Sequence, residues 1–156
     1  MQILHTVEYN AFRMNKQIKF NFNPFKEGLN QVLGALEKDI MEVLWNRGES
    51  NVKEILDAIS SDRDISYSTV ITVTNRMAKK GLLKKRKVGR AYFYSPTYNR
   101  EQFFDVVSKK MIEGVSEFSF QSAMVHFVDY MAQADPDKME YFSKLIESKR
   151  KKKSIV

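Results

Sequence analysis

SYSTVITVTNRMAKKGLLKKRKVGRAYFYSP, residues 66–96, is the stretch whose reading decides the fold. It reads as a helix, a sharp stop, and two short strands joined by a basic tip. The Ser66 hydroxyl is placed to cap the helix by accepting a bond from a free backbone N–H. Gly81 ends it, because only glycine enters the left-handed conformation without a steric cost. Between them, Val70, Val73, Thr74 and Met77 share one helical face. Ser68, Thr69, Thr72, Asn75, Arg76 and Lys79 share the opposite one. The strands follow as Leu82–Val88 and Ala91–Ser95 around Gly89-Arg90, with Lys84, Lys85, Arg86, Lys87 and Arg90 uninterrupted by acid. A short polar and cationic helix face suits base edges and phosphates. A reading helix followed by a basic hairpin is the layout of a winged helix-turn-helix.

Working outward, Leu33, Leu36, Ile40, Val43 and Leu44 form the stripe of a first helix that closes near Arg47-Gly48. Glu37, Lys38, Asp39 and Glu42 are expected to lie largely away from that stripe. Trp45, the only tryptophan, is expected as a buried anchor. A second helix starts at Asn51 with Glu54 three residues on, a capping-box arrangement, and turns Val52, Ile55, Leu56 and Ile59 inward.

The C-terminal half carries three more helical patterns. Asn99 caps the first, whose apolar face is Phe103, Phe104, Val107, Met111 and Val115. The second, about 117–133, is apolar almost all round, including Phe118, Phe120, Val125, Phe127 and Val128. A helix apolar on every side needs cover on every side, and a second subunit is the natural cover. The third starts with Asp135 as cap and Pro136 at the first helical position. Its basic end, Lys149–Lys153, suits the negative pole of a helix. The expected architecture is mostly α with a small β-hairpin. Residues 1–30 form an N-terminal extension, 31–98 the winged-helix domain, 99–148 a helical dimerisation domain and 149–156 a basic tail. In the extension, Ile18, Phe20 and Phe22 alternate with polar residues at a strand-like period until Pro24.

The segments LGALEKDIMEVLWNRGESNVKEILDAI, SYSTVITVTNRMAKKGLL and GRAYFYSP resemble the bacterial penicillinase-repressor family. The Ser-Thr-Val-x-Thr pattern with Arg76-Met77-x-Lys-Lys-Gly81 carries most of the likeness. The resemblance is strong over about residues 33–98 and weaker to about 148. It implies a homodimeric repressor on a palindromic double-stranded DNA operator, working in the cytoplasm. Tyr67, Ser68, Thr69, Thr72 and Arg76 are then the residues of the reading helix expected at DNA, and Lys85, Lys87 and Arg90 those of the wing. Phe120, Val125, Phe127 and Val128 are the expected dimer interface. In antibiotic-responsive members of the family a membrane sensor metallopeptidase pathway leads to a cut at an Asn-Phe bond. The matching bond here is His126–Phe127, with histidine in place of asparagine. The copper-responsive branch uses a C-terminal cysteine cluster, and this chain has no cysteine.

Composition agrees and narrows the choice. The 156 residues carry a net charge of +7, which favours a polyanionic partner or an acidic membrane surface. The absence of cysteine excludes disulfides, thiolate metal sites and a cysteine nucleophile. No apolar run approaches the ~20 residues that span a bilayer. The two histidines, His5 and His126, are far apart, and neither a phosphate-binding loop nor a glycine-flanked serine nucleophile is present. No metal, cofactor or enzyme activity is expected. Four other readings stay open: a solvated basic face with no ligand, a winged-helix module that binds protein, a membrane-surface protein held by its basic tail, and a regulator answering a ligand without proteolysis. A protein-binding face would carry more apolar residues than the one holding Thr69, Thr72 and Arg76, where Ile71 alone sits at the edge.

Overall fold

The computed structural model describes residues 18–24, 26–61, 64–133 and 136–153, with only the backbone of Phe118. His5 and the Asp135 cap lie outside the described residues. The chain forms two compact units, one ending at Asp105 and the other starting at Val106.

In the first unit, α1 (Ala35–Arg47) buries Ile40 and Leu44 of the expected stripe together with Met41, which lay outside it, while Leu36 and Val43 are half-buried. It stops at Gly48, whose φ of 83° is the left-handed region, and the Gly48 N–H donates to the Leu44 carbonyl at 2.9 Å. A short strand, β1 (Ser50–Asn51), leads directly into α2 (Val52–Ile59). The capping box is formed: Glu54 N donates to Asn51 Oδ1 at 3.0 Å, and Asn51 N donates to Glu54 Oε2 at 2.8 Å. In α3 (Tyr67–Lys79), Val70, Val73, Thr74 and Met77 are buried and Ser66 Oγ accepts from Thr69 N at 3.2 Å. The helix ends in a double closure. Gly81 N donates to the Ala78 carbonyl at 3.1 Å and Leu82 N to the Met77 carbonyl at 3.0 Å, with Gly81 at φ 80°.

The chain passes from that closure straight into β2 (Leu83–Val88), which pairs with β3 (Ala91–Pro96) across the two-residue tip Gly89-Arg90. The antiparallel sheet has the order β1-β3-β2, with Ser50 opposite Tyr94. The succession α1, β1, α2, α3, β2, β3 is the winged helix-turn-helix expected of residues 66–96. Side chains alternate across a strand. Lys85 and Lys87, opposite Tyr94 and Tyr92, therefore share one face, while Lys84 and Arg86 share the other.

The alternation at residues 18–23 does not become a strand. Lys19 N donates at 2.9 Å to the carbonyl of Lys80, one of the acceptors that the end of α3 leaves free, and no ladder forms beyond it. Ile18 is nevertheless 1% exposed. A 3-10 turn at Gly28–Gln31 buries Leu29. Ile18, Leu29 and Val32 thus join the core of the first unit.

Trp45 is a half-buried brace at the far end. Its Nε1 donates to the Tyr98 carbonyl at 3.0 Å, and its ring lies 5.4 Å from that of buried Phe103. Asn99 and Gln102 form a second capping box at the start of α4 (Arg100–Gln133). That helix is interrupted at Ser119, whose backbone is extended and whose hydroxyl accepts from Ser122 N at 3.4 Å. Ser119 is therefore the cap of a separate helical run ending at Gln133, which begins later than the 117 expected from the apolar pattern. In the second unit, Phe127 meets Phe142 of α5 (Pro136–Lys153) edge-on, centroids 5.3 Å apart. Among the described residues no helix is long and apolar enough to cross a membrane.

Ile18→Ala should lower stability by about 2–4 kcal/mol, the cost of deleting a well-packed aliphatic side chain. Urea unfolding of the full chain measures this, and an unchanged midpoint would make the segment a loose appendage.

Candidate nucleic-acid interface

From Ile65 to Arg100 the chain contains no acidic residue. The structure gathers this stretch into one helix and one hairpin, so its cations stand together. Tyr67, Ser68, Thr69, Thr72 and Arg76 are all exposed on α3, and Lys85, Lys87 and Arg90 are all exposed on the hairpin. Lys79, Lys84, Lys87 and Arg90 have no acidic partner among the described residues. The pleat sends Lys84 and Arg86 to the other face, where Arg86 pairs with Glu49 and that pairing lowers the Glu49 carboxyl pKa.

Several of the expected contact residues are already engaged within the chain. The Ser66 hydroxyl lies 2.9 Å from that of Ser68 and 2.8 Å from that of Thr69, a cluster at the positive end of α3. Thr72 Oγ1 donates back to the Ser68 carbonyl at 2.9 Å, which leaves its methyl group and oxygen lone pairs outward. Lys85 Nζ donates to Asn75 Oδ1 at 2.6 Å and sits 3.9 Å from the centre of the Tyr92 ring. Lys85 thus ties the hairpin to α3. A cleft opens between the start of α2, α3 and the hairpin, lined among others by Lys53, Tyr67, Ile71, Asn75, Arg90 and Tyr92.

Glu37 departs from the sequence expectation. It was expected away from the core, yet it is 3% exposed. Its carboxylate accepts from Gly34 N at 3.1 Å and from Lys80 Nζ at 2.8 Å, and Arg76 Nε lies 3.4 Å away. Burial raises the pKa of this carboxyl. The hydrogen bonds from Lys80 and Gly34 and the charges of Lys80 and Arg76 outweigh burial and hold it below its ordinary 4.5. The signal was present in the sequence, since a glutamate three residues after a helix boundary is the second half of a capping box. What the sequence hid was the arrival of α3 at the same carboxylate.

In the second unit, Phe120, Val125, Phe127 and Val128 are 63%, 54%, 39% and 48% exposed in the single chain. Ile112, Val115, Tyr130 and Tyr141 are exposed with them. His126 and Phe127 lie inside the helical run after Ser119. Among the described residues no group of three or more His, Asp or Glu side chains could hold a metal ion.

The family model described as "Penicillinase repressor" matches residues 33–148, most of the chain. The chain belongs to the penicillinase repressor family. It is similar to the transcriptional regulator BlaI of Mycobacterium tuberculosis, at 36% identity over 110 residues, covering 67% of this chain and 78% of that protein. It is also similar to the penicillinase repressor of Bacillus licheniformis, at 26% identity over 117 residues, covering 75% and 91%. Among solved structures it is similar to the monomeric form of Bacillus licheniformis BlaI in complex with the blaP half-operator. There the identity is 29%, the coverage 44% of this chain and 83% of that one, and the TM-score 0.39. In this member of the penicillinase repressor family, the match starts at Leu33 and leaves out the stretch 18–32.

The Glu37 carboxyl has a lower pKa folded than unfolded. Its contribution to stability is therefore complete above the unfolded value and lost as pH falls through the folded one. Glu37→Gln should flatten the acid limb. As pH falls below the ordinary carboxyl value of 4.5, the wild type should lose stability more steeply than the variant in urea titrations. Parallel profiles would show that the carboxylate does not anchor α3.

Proposed function

We propose that this chain is a sequence-specific DNA-binding transcriptional repressor that acts as a homodimer on a palindromic operator. The observation that carries the reading is the exposed basic surface formed by the outer face of α3 and the hairpin side chains Lys85, Lys87 and Arg90, in a stretch that contains no acidic residue from 65 to 100. The names of its relatives, a transcriptional regulator and a penicillinase repressor, support it. In this reading α3 enters the major groove, with Tyr67, Ser68, Thr69, Thr72 and Arg76 towards it. Lys87 and Arg90 approach phosphates from the hairpin, and Lys85 bridges hairpin and helix. Homodimerisation is supported by the apolar side chains exposed in the second unit, which exceed the scattered apolar exposure of an ordinary monomer surface. Two reading helices on one duplex face stand about one turn apart, ~34–36 Å, or a multiple of it.

Induction without a cut at His126–Phe127 fits this chain better than induction by one. Histidine stands where the resembled family has asparagine, and the bond lies in a helix with the Phe127 ring held against Phe142. A peptidase that takes extended chain would meet that bond only after local unwinding.

Fluorescence anisotropy with a palindrome selected from genomic fragments tests the reading. Affinity for it should exceed that for scrambled DNA at physiological salt, and equal affinities would remove the proposed specificity. Arg90→Ala should weaken binding to every sequence and reduce the salt slope by about 0.9, the value for one lost phosphate contact.

Phe127→Asp should bury an unpaired charge in the dimer interface and yield monomer or aggregate in sedimentation, with operator affinity falling as the two half-sites separate. A tight dimer with full affinity would locate the interface elsewhere.

A further inference from the structure

The outward stripe of α3, opposite buried Val70, Val73, Thr74 and Met77, is Ser68, Thr72, Asn75 and Lys79. Asn75 differs from its neighbours on that stripe because both lone pairs of its side-chain oxygen are occupied. Lys85 Nζ donates to Asn75 Oδ1 at 2.6 Å, and the hydroxyl of buried Tyr94 donates to the same atom at 3.1 Å. An amide oxygen has two acceptor sites, so no capacity is left on that side. The amide cannot be reversed either, since its NH2 would then face an ammonium group that has no acceptor. The group that remains for an outside partner is the Asn75 Nδ2 amine, which only donates.

We propose that Asn75 is a specificity-determining residue, locked by Lys85 and Tyr94 as a donor-only reader of one operator base. This rests on the DNA-binding reading above. An unlocked asparagine takes adenine through a bidentate contact, accepting from N6 while donating to N7. Asn75 cannot accept, so that contact is closed to it. A lone donor in the major groove finds an acceptor on guanine at O6 or N7, on thymine at O4 and on adenine at N7 alone, and it opposes cytosine, which offers only its N4 donor there. The lock is built from the hairpin, because Lys85 and Tyr94 are opposite each other on β2 and β3. The hairpin therefore sets what the reading helix reads, besides holding phosphates. Asn75 is part-exposed beside Ile71 and Tyr67 in the cleft, within reach of an edge-on base.

The test is competition binding of the full chain against operators carrying all four bases at each half-site position. The wild type should reject cytosine at one position by roughly fivefold or more, the size of one net hydrogen bond. Asn75→Asp keeps both accepting bonds and has no donor. It should reverse that discrimination towards cytosine, whose N4 donates to a carboxylate, while ratios at other positions stay as they were. Lys85→Met, at an exposed side chain, frees one lone pair and should raise tolerance for adenine at the same position. A uniform fall in affinity with all base ratios intact in Asn75→Asp would overturn the proposal, making Asn75 a brace or a phosphate contact. So would a Lys85→Met variant in which the salt slope alone changes. A wild type that discriminates at no position would instead remove the repressor reading itself.

Discussion

A single buried carboxylate joins the parts of the first unit that must agree. Glu37 closes the start of α1 through Gly34 N and receives Lys80 and Arg76 from the end of α3. The attraction is between unlike charges in a setting drier than water, where it is worth more than at an exposed surface. Desolvation opposes it, and the second cation and the Gly34 N–H share the compensation of the buried charge. The pairing therefore acts as a constraint on geometry more than as a large stabilising term. It fixes how far α3 slides along α1, and with it the height at which the outer face of α3 is presented. Lys80 adds a second duty, since its carbonyl accepts Lys19 N from the N-terminal stretch.

Most of this fold was legible in the sequence because local signals and burial pointed the same way. Ser66, Asn51 with Glu54, Asn99 with Gln102 and Gly81 each have a chemistry that works at one place in a helix, and each stands there. The hairpin followed from basic and aromatic alternation around Gly89. The candidate interface was legible as a set of residues, since exposure follows from the polar half of a periodic pattern. Its internal bonds were not, because Lys85 with Asn75 and Glu37 with Arg76 join positions set by tertiary packing. The same limit explains residues 18–23, where a period of two suggested a strand but Lys19 N and Asn23 N donate to Lys80 and Gln31 carbonyls instead of a sheet edge. It also explains the helical run before Gln133, whose start depends on one serine, Ser119, inside an otherwise continuous apolar pattern.

The two units differ in how their apolar surface is treated. The first buries most of its large aliphatic side chains, from Ile18 to Leu83, within one chain. The second leaves Phe120, Val125, Phe127 and Val128 substantially open. Hydrophobic burial scales with area removed from water, so in the proposed homodimer much of the second unit's stabilisation comes from covering these side chains.

The double closure at Gly81 joins α3 to β2 with no loop between them, since Leu82 is both the last bonded residue of the turn and the neighbour of the strand. A joint this short leaves no free torsions to re-aim the hairpin against the helix. Any adaptation to a different DNA sequence is then confined to exchanging side chains on a rigid tool. Insertions, which reshape binding loops in many proteins, are barred at this joint. In the proposed DNA complex, the spacing between groove contact and backbone contact is thereby a dimension set by the protein.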